Sequence, residues 1–437
     1  MKREIHFQMW RLAGPIIISN ISVPVLGAVD TAVVGHLPDA KYLGGVAVGA
    51  LVFTFIYWGF GFLRMSTGGL TAQAIGLADM DEVRGCLARA AVIGIPVAFI
   101  LILLQGPIAW LSFSIVDATP EVEALAREYF FTRIWGAPAT LLNFALLGWF
   151  IGTQNTRAVL WHQLILNGVN IVLDLLFVLG FGWGVAGVAA ATAIADAVAM
   201  IFGFFLALPI LRQLGGAFVG NKIIEVAKVR RVLALNLDIF IRTICVVFAF
   251  AYFTAQGAVF GNIVLAANAV LLNFQTFMAH ALDGFAHSAE AMSGKAVGAQ
   301  DRIAFRHAVL VSMFWGMIMA IGFALLYLVA GPAIISMLTG IKEVQTAAVN
   351  YIAWSVAMPL VAVFPFVFDG VFLGATRGRT MRNAMIVSVA VYIACCLTFV
   401  PSLGNHGLWG ALLIFMGIRG ITLGARYPAL ERSIGRT

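Results

Sequence analysis

Five side chains with the chemistry to handle an ion stand in otherwise apolar runs: Asp30, Asn170, Asp174, Thr192 and Asp196. An ionisable group in hydrocarbon is costly unless it faces a cavity or a partner, so its first reading is part of an ion or substrate path. Asn170 and Asp174 are four residues apart, as are Thr192 and Asp196, so each pair shares one helical face. Let the first span run outward to His36, the fifth outward to Gly180 and the sixth inward from Gly184. Asp30 and Asp174 then lie about 9 Å below the outer surface and Thr192 about 12 Å. Carboxylates meeting in a low-dielectric pocket can load and release a proton. Alternatively, the hard oxygens of Asp30, Asn170, Asp174 and Thr192 can hold Na+. These residue types leave H+ and Na+ both open. Pro24 breaks a helical hydrogen bond six residues before Asp30 and is the expected hinge, whose kink protonation of Asp30 could change. The competing reading is hydrogen-bonding glue between helices.

The elements that must position these groups are membrane helices. Of 437 residues, 62% are hydrophobic and 11% charged, with a mean hydropathy of +0.98; soluble domains carry about 25% charged residues. Apolar runs long enough to cross a bilayer recur throughout. Twelve are expected, centred near Val23, Ile56, Ile100, Pro138, Asn170, Met200, Val247, Ala281, Met317, Pro359, Ala390 and Met416. The net charge of +7 reads as topology and not as a nucleic-acid surface: with the N-terminus in the cytoplasm, only Lys41 and Lys342 fall in outer loops. Both termini are then cytoplasmic. The apolar run after Met1-Lys2-Arg3 reads as the first span, not as a signal peptide. Cys86, Cys245, Cys395 and Cys396 have no disulfide or metal spacing.

Other charged groups are weaker candidates. Asp238 and Arg242 have the spacing of a local ion pair on the seventh span. His280, Asp283, His287 and Glu290 lie on nearly one face of the eighth span, with Arg64 in the corresponding second span. They suit a second proton route, a lock between lobes or a structural network. Asp369, near the inner end of the tenth span, suits a gate. Residues 182–187 fit G-x-G-x-x-G, but no strand precedes them, so they are read as a hairpin. There is no Walker A sequence, H-E-x-x-H motif or nucleophile constellation, so neither ATP-driven transport nor an enzyme is expected. No cofactor is expected either.

An offset of 222 positions superimposes Ser66 on Ser288, Gly76 on Gly298, Asp79 on Asp301 and Arg84 on Arg306. After a compensated slip in the third span it returns with Tyr129 on Tyr351, Gly148 on Gly370, Gly152 on Gly374 and Arg157 on Arg379. This is an internal repeat. An even number of spans per copy makes the repeat parallel, and a cleft between lobes is where such a transporter would hold its substrate. The expected division is a six-helix lobe at 1–211, a basic cytoplasmic linker at 212–231 and a second six-helix lobe at 232–437. Asp30, Asn170 and Asp174 fall opposite Tyr252, Tyr392 and Cys396, so ion handling is expected to be lopsided.

Several segments together resemble a known group: Trp10-Arg11-Leu12-Ala13-Gly14-Pro15, Val29-Asp30-Thr31-Ala32-Val33-Val34-Gly35-His36, Leu63-Arg64-Met65-Ser66-Thr67, Leu282-Asp283-Gly284-Phe285-Ala286 and Phe368-Asp369-Gly370-Val371-Phe372-Leu373-Gly374. They are similar to the DinF branch of the MATE (multidrug and toxic compound extrusion) transporters. The resemblance implies an all-α membrane protein of two pseudo-symmetric six-helix lobes, the fold of the wider MOP superfamily, in a bacterial inner membrane. It also implies export of cationic or amphipathic small molecules against an inward H+ or Na+ gradient, by a monomer among membrane lipids. Asp30, Asn170, Asp174 and Thr192 match the family's first-lobe acids and their partners. The superfamily's flippases of lipid-linked precursors supply the alternative function.

Overall fold

The computed structural model describes residues 3–35, 39–116 and 118–435, which are helical nearly throughout. Among the described residues, eleven stretches are long and apolar enough to cross a membrane. The helix before them, Arg3–Gly35, contains an uncharged run at 12–29 and makes the twelfth. We number them α1 (Arg3–Gly35), α2 (Lys41–Gly76), α3 (Met80–Leu103), α4 (Pro120–Gly152), α5 (Thr156–Gly180) and α6 (Gly184–Leu214). The second set is α7 (Val226–Ala258), α8 (Asn262–Gly298), α9 (Arg302–Leu338), α10 (Lys342–Gly374), α11 (Gly378–Leu403) and α12 (Asn405–Arg432). Each of the twelve centres read from the sequence falls in one of them.

The repeat in sequence is also a repeat in backbone geometry. Among the described residues, four non-glycine ones have positive φ, Ala78 at 55°, Gln300 at 54°, Gln154 at 59° and Thr376 at 52°. They form two pairs at the same offset of 222. Each is a left-handed turn closing one helix before the next begins. The cap that follows is repeated too, since Asp79 accepts from Glu82 N at 3.0 Å and Asp301 from Ala304 N at 2.9 Å. Such caps satisfy helix-end donors that would otherwise lack partners. Helix contacts are matched in the same way. A Cβ on Gly148 would stand 2.2 Å from Arg64 O, and one on Gly370 2.0 Å from Ala286 O. Gly152 and Gly374 repeat the contact one turn on, at 2.6 Å from Gly68 O and 2.3 Å from Glu290 O. Small residues at i and i+4 let α4 lie backbone to backbone on α2, and α10 on α8.

The chain forms two compact units, one of Ile18–Leu233 and the other of Met1–Ile17 with Ala234–Thr437. The first is built around Phe53, Phe130, Ile134 and Leu141, and the second around Phe253, Phe274, Trp409 and Phe415. The beginning of α1 packs in the second unit, where Met9, Leu12 and Ala13 meet Phe285 and Val311, and Trp315 Nε1 donates to His6 Nδ1 at 3.0 Å. Large apolar side chains such as Leu103, Val329 and Met337 remain more than three-quarters exposed, as lipid-facing positions require. Residues 212–231, read from the sequence as a linker, are docked on α3. Arg84 Nε donates to Gly215 O at 2.6 Å, buried Arg89 donates to Lys222 O and Ile223 O, and Lys228 pairs with Glu82 at 2.7 Å.

Candidate functional site

In the first unit, four helices bring polar groups into a buried cluster. Asp30 lies on the C-terminal half of α1, and Asn170 and Asp174 lie one turn apart on α5, both fully buried. The α-helical part of α5 ends at Asp174, and residues Leu175–Gly180 continue as a π-helix. Widened turns of this kind recur at functional positions because they release backbone groups and re-aim side chains. The carboxyl groups of Asp30 and Asp174 lie close enough to interact electrostatically. Among the described residues, Asp30 Oδ1, both oxygens of Asp174 and Asn170 Oδ1 receive no hydrogen bond, and Asn170 Nδ2 finds no acceptor. Two facing carboxyl groups can bond only with a proton or a cation between them. An unsatisfied buried polar group costs about 1–3 kcal/mol, so several together mark a site and not a packing detail.

Tyr129 of α4 joins this cluster, a residue the sequence reading used only as a marker of the repeat. Its phenol is in electrostatic contact with Asp30 and Asp174 and in hydrogen-bonding contact with Thr192 of α6. The Thr192 hydroxyl donates to Val188 O at 2.8 Å and lies beside the Tyr129 phenol. Among the described residues no three His, Cys, Asp or Glu side chains cluster closely enough to hold a metal ion. The cluster instead offers two carboxylates, an amide and a hydroxyl, a hard-oxygen set that fits a proton or Na+.

Asp196 is drawn elsewhere. One turn along α6 from Thr192, it pairs with Arg133 of α4 at 2.8 Å, both side chains over nine-tenths buried. It accepts from Thr140 Oγ1 at 2.7 Å, and Asn143 Nδ2 donates to its backbone oxygen at 3.0 Å. His162 Nε2 lies 3.0 Å from Asn143 Oδ1. The Arg133 guanidinium also covers the rings of Phe53 and Tyr57, at 5.6 and 5.5 Å. Thus α4 and α6 are joined by two rungs one turn apart, Tyr129 with Thr192 and Arg133 with Asp196. Only the first touches the paired carboxyl groups. The spacing of Arg133 four residues after Tyr129 was the available signal for both rungs.

The second unit uses its charges differently. Asp238 and Arg242 do not form the local pair that their spacing suggested, because stronger partners come from other helices. Asp238 takes Arg382 of α11 at 2.7 Å. Arg242 takes Asp369 of α10, whose same oxygen accepts from Arg419 of α12 at 2.8 Å. Asp283 is within electrostatic reach of Arg419. His287 Nδ1 is 3.5 Å from Glu290 Oε2, and His280 Nδ1 is 2.7 Å from Thr276 O. Arg64 is half-buried in α2, and Pro24 is half-buried in α1, with helix on both sides of it. Where the repeat puts the counterparts of Asp30 and Asn170, the second unit has Tyr252 and Tyr392, ring centroids 6.0 Å apart. Tyr392 is also in electrostatic contact with Cys396, the counterpart of Asp174. The acids of the paired cluster are therefore confined to one copy of the repeat.

Similarity to known proteins follows the same division. The MatE family profile matches residues 15–176 and again 238–398. The DNA damage-inducible protein F of Escherichia coli K12 is 41% identical over 420 residues, 95% of this chain and 91% of that protein. A probable multidrug resistance protein NorM of Deinococcus radiodurans is 27% identical over 95% of this chain and 94% of its own length. Among solved structures, the Vibrio cholerae MATE transporter VcmN superimposes with a TM-score of 0.88 at 18% identity, covering 98% of each chain. A MOP superfamily transporter from Pyrococcus furiosus gives 0.86 at 18% identity, covering 99% of this chain and 97% of that one. With both copies of the repeat matched and a DinF protein so similar along nearly its whole length, the chain belongs to the MatE family of multidrug and toxic compound extrusion transporters.

Proposed function

We propose that this protein is a secondary antiporter that exports cationic or amphipathic small molecules in exchange for H+, or Na+, bound by the Asp30–Asp174 pair. The observation that carries this reading is the facing of those two carboxyl groups beside the partnerless Asn170 side chain and the Tyr129–Thr192 contact. Without an ion the two carboxylates repel in a medium of low dielectric; with one they are drawn together. That difference couples the ion to two arrangements of α1 against α5, which is the differential stabilisation a coupled transporter needs. Pro24 gives α1 a place to bend between them. One inward charge at 100 mV supplies about 2.3 kcal/mol, enough to drive roughly a fifty-fold gradient of an uncharged substrate per ion, whereas a monovalent cationic substrate is driven by the ion's concentration gradient alone. The lobes correspond to the two copies of the repeat. The basic inner loops favour cytoplasmic termini and a bacterial inner membrane.

The test is substrate flux in proteoliposomes with a pH gradient and a Na+ gradient imposed separately. Wild type is expected to respond to one of them, and Asp30→Asn to fall to the level of protein-free vesicles while inserting normally. Gradient-driven flux preserved in Asp30→Asn would overturn the proposal.

A further inference from the structure

An open cavity of about 550 Å³ lies at the Arg302 end of α9, against α12, lined by Arg302, Ile303, Arg306, His307, Leu310 and Glu431. Its carboxylate is already engaged: Glu431 pairs with Arg302 at 3.2 Å and is in hydrogen-bonding contact with Tyr427, whose ring stacks on Phe305 at 6.0 Å. The nearby Asp301 carboxylate accepts from Ala304 N as the helix cap. Arg306 has no carboxylate partner among the described residues, so the cavity has one uncompensated guanidinium, with His307 beside it.

The apolar part of the wall tells what kind of anion would fit. Ile303, Leu310, Phe314 and Ile321 are 71%, 49%, 49% and 44% exposed. At 3.6 residues per turn they form one stripe along α9, starting at the cavity and running toward the middle of the helix. Arg306 and His307 flank the stripe on its two sides. A phosphate in the cavity with a hydrocarbon chain along the stripe would satisfy both. Basic pockets between helices at a membrane interface bind anionic headgroups in this way.

We propose that this cavity is a binding site for an anionic phospholipid, with Arg306 as its principal phosphate ligand and the α9 stripe as the seat of an acyl chain. The purified full-length protein in mild detergent would be titrated with phosphatidylglycerol, phosphatidylcholine or inorganic phosphate, and bound lipid counted by native mass spectrometry. Phosphatidylglycerol is expected to bind at least about fivefold more tightly than phosphatidylcholine, the factor one basic residue contributes at an anionic surface. Arg306→Gln should erase that preference and Arg306→Lys retain most of it. Arg379→Gln, which removes another exposed arginine, should leave it intact. Equal affinity for the two lipids, a preference that survives Arg306→Gln, its equal loss in Arg379→Gln, or inorganic phosphate binding as tightly as phosphatidylglycerol would each overturn the proposal. Arg306 is exposed and makes no ion pair, so a matching gel-filtration profile for Arg306→Gln keeps a folding defect from imitating the result.

Discussion

Two buried acids, Asp174 of α5 and Asp196 of α6, differ in what faces them. Asp174 meets another acid, so its charge has no built-in compensation. Asp196 meets Arg133, Thr140 and Asn143, so its charge is compensated by the fold itself. Removing one member of a buried ion pair leaves the other charged and unpaired, at a cost of about 3–5 kcal/mol, whereas replacing both is often nearly neutral. Arg133→Met is therefore expected to lower the thermal unfolding temperature sharply, and Arg133→Met with Asp196→Asn to recover most of the loss and still transport. A double variant that is stable but uncoupled would move Asp196 back among the ion-handling residues. The sequence made Asp30, Asn170, Asp174 and Thr192 legible because polar groups in apolar runs are rare and their spacing fixes a face and a depth. Tyr129 carried a signal only through Arg133 four residues on, and by itself a tyrosine in a membrane helix has an ordinary explanation as an interfacial aromatic. The partners of Asp238 and Arg242 were not legible: spacing along one helix cannot reveal competitors on α10, α11 and α12.

At the level of helices, the close pairs α2 with α4 and α8 with α10 rest on glycine. Gly370 has the backbone of Ala286 where a Cβ would be, while a Cβ on Gly322 of α9 would meet nothing within 4 Å. Gly370→Ala is expected to destabilise the protein by about 3 kcal/mol through forced separation of α8 and α10. Gly322→Ala should be neutral or stabilising by up to about 1 kcal/mol, since it removes backbone freedom from the unfolded chain without a clash. Thermal unfolding of the two variants in the same detergent checks the contrast, and equal effects would contradict the packing account. Here the sequence was a good guide, since the offset of 222 that aligned Gly148 with Gly370 also aligns the turns at Gln154 and Thr376. The π-helix after Asp174 was beyond reach, because Leu175–Gly180 is an unremarkable apolar run with nothing in its composition to widen a turn.

For the molecule as a whole, the twelve helices followed from hydropathy and length, while the assignment of the first seventeen residues to the second unit did not. Residues 3–17 continue the same helix as Asp30, and only their contacts with Phe285, Val311 and Trp315 place them with the second copy of the repeat. One continuous helix thus belongs to both units and carries Asp30 in the part that belongs to the first. The exchange itself can be read without vesicles: substrate is added to purified protein in weakly buffered detergent solution, and released H+ and Na+ are measured together. The account predicts release of one of these ions on substrate addition to wild type, and none from Asp30→Asn or Asp174→Asn. Substrate binding with undiminished ion release in either variant would contradict it.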